Sequence, residues 1–300
     1  MNRKFISEVA FHGYNDCFFL LDQDSLNDFE LKSAKPHIYI VLSRKRINIS
    51  SQRLDKNHPY FEIILPDGFS KQIPVTVDND DFINLKVEKN NFILKDANGT
   101  LLHGGKLGFL LHLFKKMEIL DNTLDDIYKY EILYIGQSFG KKGERIAPDR
   151  LLSHSTLQKI YFDCISSYVE NDIWLLAMPF KWNFLAEFQN TTCTKDEDQC
   201  HFKSVLKNPP PENQCVNIIE GSLIKYFQPK YNKEYKHSFP NPCHTSYNTV
   251  YKYDYNAIAI GLGLQDILFP VGTKETGYKD RFAIMFSLHD ENERKSMFSI

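Results

Sequence analysis

Glu131-Ile132-Leu133-Tyr134-Ile135-Gly136, Arg150-Leu151-Leu152-Ser153-His154 and Glu220-Gly221-Ser222-Leu223-Ile224-Lys225-Tyr226-Phe227-Gln228-Pro229-Lys230-Tyr231-Asn232 carry the organisation of this chain. The first is an apolar run of strand length that stops at a glycine, and it reads as a buried strand. The second opens a helix. Asp149 stands where a carboxylate can accept from the free N–H groups of a first turn, and Arg150 and His154, four apart, share a face. Leu151, Leu152, Leu157, Ile160 and Tyr161 give that helix its apolar side. In the third stretch Ile219, Leu223 and Phe227, with Ile224 beside them, recur at helical spacing and leave Glu220 at the edge of the stripe. Pro229 ends this helix because its ring fixes the backbone and it has no N–H to donate. Between the two helices Ile173-Trp174-Leu175-Leu176-Ala177-Met178 reads as another buried strand.

The order of these parts, a strand ending in Tyr-Ile-Gly, then R-x3-H on a helix, then E-x2-L-I ahead of P-x2-N, resembles the GIY-YIG endonuclease family over about residues 129–235. The resemblance implies an α/β (α+β) fold with a small mixed sheet flanked by helices. It implies a metal-dependent endonuclease that hydrolyses DNA phosphodiester bonds, with RNA left open, in restriction, defence or mobile-element activity. It also assigns residues. Glu220 is the ligand of one Mg2+ (or Mn2+), Tyr134 lies beside the attacking water, and Arg150 faces the scissile phosphate. His154 shares the proton handling with Tyr134, and Asn232 positions the site through a hydrogen bond. The family's first tyrosine, from a Gly-Ile-Tyr strand, is not legible as that triplet; Ile127-Tyr128 is the nearest text, so Tyr128 or Tyr130 is its expected counterpart. Where many relatives carry lysine after the glycine, this chain has Gln137. Gly136, Gln137, Lys141, Lys142 and Arg145 are therefore the expected substrate-binding set.

The residue types suit the reaction on chemical grounds as well. Mg2+ prefers hard carboxylate oxygens and keeps most of its waters, so one protein carboxylate plus a substrate phosphate can hold it. A planar, permanently charged guanidinium matches phosphate oxygens. A phenol with an ordinary pKa of about 10 is a poor base at neutral pH, whereas an imidazole at about 6.5 is well matched to accept a proton.

Upstream, Phe18-Phe19-Leu20-Leu21, His37-Ile38-Tyr39-Ile40-Val41-Leu42, Tyr60 to Leu65 and Phe92 to Lys95 are short apolar runs. Turn clusters such as Pro66-Asp67-Gly68 and Ala97-Asn98-Gly99 separate them. The expected division is a β-rich N-terminal domain over 1–105, a nuclease-like domain over 106–240 and a C-terminal β extension over 241–300. The extension either completes the first domain or forms a separate cap. Leu107, Leu110, Leu111 and Phe114 mark a helix that opens the middle domain. Residues 190–214, polar and with Pro209-Pro210-Pro211, read as a loop insertion. Tyr247, Tyr251, Tyr253 and Tyr255 read as an antiparallel sheet face, with base stacking as the alternative.

Of the 300 residues 42% are hydrophobic and 14% aromatic, enough to build packed cores. The formal net charge of −2 gives no overall basic footprint, so any affinity for nucleic acid must come from local positive charge. No run reaches the eighteen or so apolar residues that span a bilayer, and the start lacks the apolar core of an export signal. The expectation is a cytoplasmic protein with no membrane partner and with reduced cysteines. A duplex cutter often needs two sites, which leaves a homodimer open without the sequence deciding it. Two other readings stay open: a catalytically inactive GIY-YIG-like module that binds nucleic acid or protein, and a zinc-stabilised interaction protein using Cys193, Cys200, His201 and Cys215.

Overall fold

A computed structural model of the chain describes residues 8–22, 33–46, 48–53, 60–64, 68, 70–74, 84–88, 91–96, 98–116, 128–139, 155–166, 171–187 and 196–289. In chain order come β1 (Glu8–Asn15), β2 (Phe19–Leu21), β3 (Ile38–Lys45), β4 (Asn48–Arg53), β5 (Tyr60–Ile64), β6 (Ser70–Pro74), β7 (Asn84–Glu88), β8 (Asn91–Lys95) and β9 (Leu101–Lys106). Then follow α1 (Leu107–Lys116), β10 (Tyr130–Gln137), α2 (Ser155–Ser166), β11 (Asn171–Met178), β12 (Phe180–Glu187), α3 (Asp196–Lys207), α4 (Glu212–Phe227) and α5 (Thr249–Lys252). The last strands are β13 (Ala257–Gly263), β14 (Val271–Thr273), β15 (Gly277–Lys279) and β16 (Arg281–Ser287). The protein is mixed α/β.

Its strands form a six-stranded sheet in the order β15-β14-β10-β3-β11-β2 and a four-stranded sheet in the order β12-β1-β13-β16. β4-β5-β6 and β7-β8-β9 make two further three-stranded sheets. Among the described strands the chain passes between the two larger sheets four times, from β1 to β2, β11 to β12, β13 to β14 and β15 to β16. β1 and β12 pair antiparallel in one, β2 and β11 pair antiparallel in the other, and only Pro179 separates β11 from β12. The N-terminal strands are thus woven into the same layers as the rest, which differs from a separate domain ending near 105. The residues that form sheets of their own are those of β4 to β9. β13 runs parallel to β1, and β14 pairs with the start of β10.

Alternation along the strands divides the core. Ile38, Ile40, Leu42, Ile132, Ile135 and Trp174 belong with α4 in one cluster, while Tyr39, Val41, Leu133 and Leu175 belong with Leu157 and Ile160 of α2 in the other. α4 and α2 therefore lie on opposite faces of the six-stranded sheet. α4 is buried at Cys215, Val216, Ile218, Ile219, Gly221, Ser222, Leu223, Ile224 and Phe227, which is wider than a single stripe. The cause is its position between the layers, touching β10 on one side and β13 and β16 on the other.

Two further expectations are revised. Residues 196–207 of the presumed loop insertion form α3, held by Val205 in the main core and Phe202 packed against it. The tyrosines 247–255 lie on a 3-10 turn, on α5 and beyond it rather than on a strand. Tyr247 and Tyr255 are fully buried, and Tyr247 packs on Phe239 with ring centroids 5.1 Å apart, so neither ring is available to stack a base. Among the described residues no helix is long and apolar enough to cross a membrane.

Candidate active site

A cleft of about 610 Å³ opens where β10 emerges between α2 and α4. β10 contributes Tyr134 and Gln137, α2 contributes Thr156 and Lys159, and α4 contributes Asn217, Glu220 and Ile224. The segment after α4 contributes Lys230, Tyr231, Asn232, Lys233, Glu234 and Tyr235. Tyr134, Gln137, Glu220 and Asn232, drawn from two separate stretches of sequence, thus share one cavity.

A β-bulge aims Tyr134. The register between β10 and β3 shifts between Ile132 and Tyr134, so that Ile132 faces Leu42 and Tyr134 faces Val41. Leu133 is the extra residue. Without it, strict alternation would turn Tyr134 to the same side as Ile132, into the main core. With it, Tyr134 stands half-buried beside the α2 cluster and on the cleft.

Gly136 follows from a close approach. It pairs with Tyr39 on β3, and a Cβ placed on it would lie 2.5 Å from the Tyr39 hydroxyl oxygen and 2.8 Å from the Tyr134 ring. The two tyrosine rings are 6.2 Å apart between centroids, and Tyr39 is fully buried. This end of the strand pair is secured further. The Ser138 N–H donates to the His37 carbonyl at 2.8 Å, and the His37 ring bonds the Ser138 carbonyl through Nδ1 at 2.7 Å.

On the other edge of β10 the segment after α4 takes the place of a strand. Gln228, in the left-handed conformation, caps the helix by donating its N–H to Ile224 O, and the chain then turns back along β10. The Tyr231 N–H donates to Leu133 O at 3.0 Å. The Asn232 side chain accepts from the Ile135 N–H at 2.9 Å and donates to the Ile135 carbonyl at 2.8 Å, reproducing both bonds of a strand pair with one amide. The Tyr231 hydroxyl donates to Asp163 of α2 at 2.9 Å. Burial, reinforced by Asp163, pushes that phenol up to about 12.

Gln137 donates to Asn217 of α4 at 2.7 Å, and Asn217 donates to the Ser246 carbonyl at 3.1 Å. Gln137 thus ties β10 to the helix that carries Glu220. Glu220 is half-buried on the cleft, and its charge adds to the burial that raises the Tyr235 phenol.

Other expected members lie elsewhere. Arg150, His154, Lys141, Lys142, Arg145 and Cys193 are outside the described residues. Tyr128 is buried away from the cleft, against Phe269 with ring centroids 4.6 Å apart and beneath the Arg44 guanidinium at 4.5 Å. It precedes β10 and so stands at the opposite end of that strand from Gly136. Tyr130 is equally buried, and its hydroxyl accepts from Arg44 at 2.6 Å. Tyr39 is the tyrosine that the arrangement brings to Tyr134 instead. The signal for it was present in His37-Ile38-Tyr39, one residue from Gly-Ile-Tyr and about 95 positions upstream.

Glu220 offers the hard oxygen that Mg2+ prefers. Among the described residues no group of three or more His, Cys, Asp or Glu side chains stands close enough to hold a metal. Zinc chemistry fits poorly. The Cys215 thiol donates to Pro210 O at 3.3 Å and burial pushes it up to about 12, the reverse of what a thiolate ligand requires. His201 bonds the Tyr253 carbonyl through Nε2 at 2.9 Å. Comparison with protein-family models, with curated proteins and with solved structures gives no match to this chain.

Proposed function

We propose that the protein is a metal-dependent endonuclease with a GIY-YIG-like catalytic core, and that the cleft between α2 and α4 is its active site. The observation that supports this most strongly is the sharing of one cleft by Tyr134 and Glu220, with Asn232 fastening the strand of the first to the segment that follows the helix of the second. In this reading Tyr39 on β3 is the counterpart of the family's first tyrosine, and the sheets β4 to β9 are an insertion between the two motif strands.

Hydrolysis adds water across a P–O bond. The water oxygen bonds to phosphorus, its proton passes to a base, the bond to the leaving sugar oxygen breaks, and that oxygen takes up a proton. Tyr134 orients the water, with Tyr39 supporting its ring. His154 or Tyr134 accepts the proton, and Arg150 faces the non-bridging oxygens. Glu220 is the residue that would hold Mg2+ or Mn2+, which supplies Lewis-acid polarisation of the phosphate. Gln137, bonded to Asn217, and Asn232, bonded to Ile135, keep strand and helix in register and act as positioning residues.

The test is to incubate the protein with supercoiled plasmid and Mg2+ or Mn2+ beside a Glu220→Ala control. Nicking by the intact protein alone supports the reading. Failure of the intact protein to cut DNA and RNA alike contradicts it and leaves the inactive binding module.

A further inference from the structure

We propose that Lys159, Lys230 and Lys233, which line the cleft together with Tyr134 and Glu220, bind the backbone phosphates of a nucleic-acid strand. The inference rests on the reading of this cleft as a nuclease site, and it assigns substrate contacts to residues outside the expected set.

Lys159 and Thr156, three apart on α2, share a face, and both line the cleft, while Leu157 and Ile160 turn to the sheet. Lys230 and Lys233, beyond the end of α4, line the same cleft. Tyr134 and Glu220 line that cleft too, so a strand contacted by these lysines is held at the reacting centre. All three lysines are exposed, and among the described residues none is in an ion pair.

Lys230 is held in place. Its ammonium is 5.2 Å from the centroid of the Tyr231 ring, and Tyr231 is fixed by its backbone N–H on the Leu133 carbonyl and by its hydroxyl on Asp163 of α2. The cavity, about 610 Å³, is in the range of sites that enclose a whole small molecule, so it accommodates nucleotide units rather than one lone phosphate. Glu220 and Glu234 are the opposing charges in the cleft. A chain with a net charge of −2 does not draw in a polyanion by its overall field, so the attraction must come from local cations of this kind.

Each lysine that neutralises a phosphate releases counterions, so the dependence of affinity on salt counts the contacts. The logarithm of the binding constant falls with the logarithm of salt concentration by about 0.9 per contact on duplex DNA and about 0.7 on single strands. The experiment measures fluorescence anisotropy of labelled duplex DNA, single-stranded DNA and RNA oligonucleotides with the full chain in EDTA at several KCl concentrations. The variants are Lys159→Gln, Lys230→Gln, Lys233→Gln, the triple substitution, and the remote control Lys207→Gln, all checked for unchanged melting temperature.

The triple variant is expected to lower the slope by about 2–3, and each single variant by about 1, on whichever oligonucleotide binds best. Lys207→Gln should leave it unchanged. A wild-type slope in the triple variant, an equal loss in the control, or no binding by the wild type overturns the proposal. Plasmid cutting by the wild type together with an unchanged slope in the triple variant rejects the lysine contacts alone. Loss of slope in a protein that does not cut retains them and rejects the hydrolytic reading.

Discussion

The side-chain amide of Asn232 accepts from the N–H of Ile135 and donates to its carbonyl, at 2.9 and 2.8 Å. One side chain thereby stands in for a neighbouring strand at the position between Tyr134 and Gly136. Both groups are buried, so Asn232→Ala leaves a donor and an acceptor unsatisfied at a cost of about 2–4 kcal/mol. The expected outcome is a lowered urea midpoint together with a loss of cutting larger than the loss of folded protein. Equal activity per folded molecule would show that this strand edge does not position the site.

Tyr231 and Asp163 connect the segment after α4 to α2, and the phenol at about 12 remains a donor throughout the neutral range. Tyr231→Phe keeps the ring under Lys230 and removes only the hydrogen bond. A single hydrogen bond to a charged acceptor contributes about 1.5–3 kcal/mol, which sets the expected upper range of destabilisation. Cutting should slow at saturating substrate, since α2, which bears Thr156 and Lys159 on the cleft, loses its tie. A change in KM alone would argue against that role.

At Gly136 the space for a side chain is taken by Tyr39 and Tyr134. Gly136→Ala must displace one ring or the strand, and overpacking of this kind costs about 1–3 kcal/mol. The expected result is a folded protein with impaired cutting, read by circular dichroism and plasmid nicking. Wild-type activity in Gly136→Ala would mean that the closeness of the two tyrosines has no part in the reaction.

Beneath the sheet His112 is buried among aromatic rings and beside Arg44, and burial, then the arginine charge, lower its pKa to about 3. The neutral ring is therefore retained in the folded state while the unfolded chain takes up a proton below about 6.5. The unfolded state binds more protons between those values, so stability falls as pH drops from 6.5 towards 3, by at most about 1.4 kcal/mol per unit. Melting temperatures measured from pH 7 to 5 should decline more steeply in the wild type than in His112→Gln. Parallel curves would show that His112 does not titrate in this way.

The parts read from periodicity survive in the structure because burial imposes that periodicity. α1 buries Leu107, Leu110, Leu111 and Phe114, and the strand ending in Gly136 and the helix bearing Glu220 fall where their apolar spacing puts them. What escaped depends on contacts distant in the chain. Tyr39 meets Gly136 only because β3 and β10 are neighbours in space, with β4 to β9 inserted between them in sequence. The bulge at Leu133 leaves no mark in an apolar run whose faces are both buried. α3 is polar enough to resemble a loop, and its place is set by Phe202 and Val205 docking on the core. Tyr128 looked close to the site in sequence, but six positions along a strand from Tyr134 is the far end of the sheet.

The most direct measurement is the single-turnover rate of phosphodiester cleavage, at matched enzyme occupancy and with Mg2+ present, for the wild type and Glu220→Gln. The substitution keeps the size of the side chain and removes the charge. The account predicts divalent-dependent cutting by the wild type and a fall on the order of 10²–10³-fold in Glu220→Gln, with the melting temperature preserved. Cleavage by Glu220→Gln at the wild-type rate, or cleavage by the wild type that EDTA leaves untouched, would contradict it.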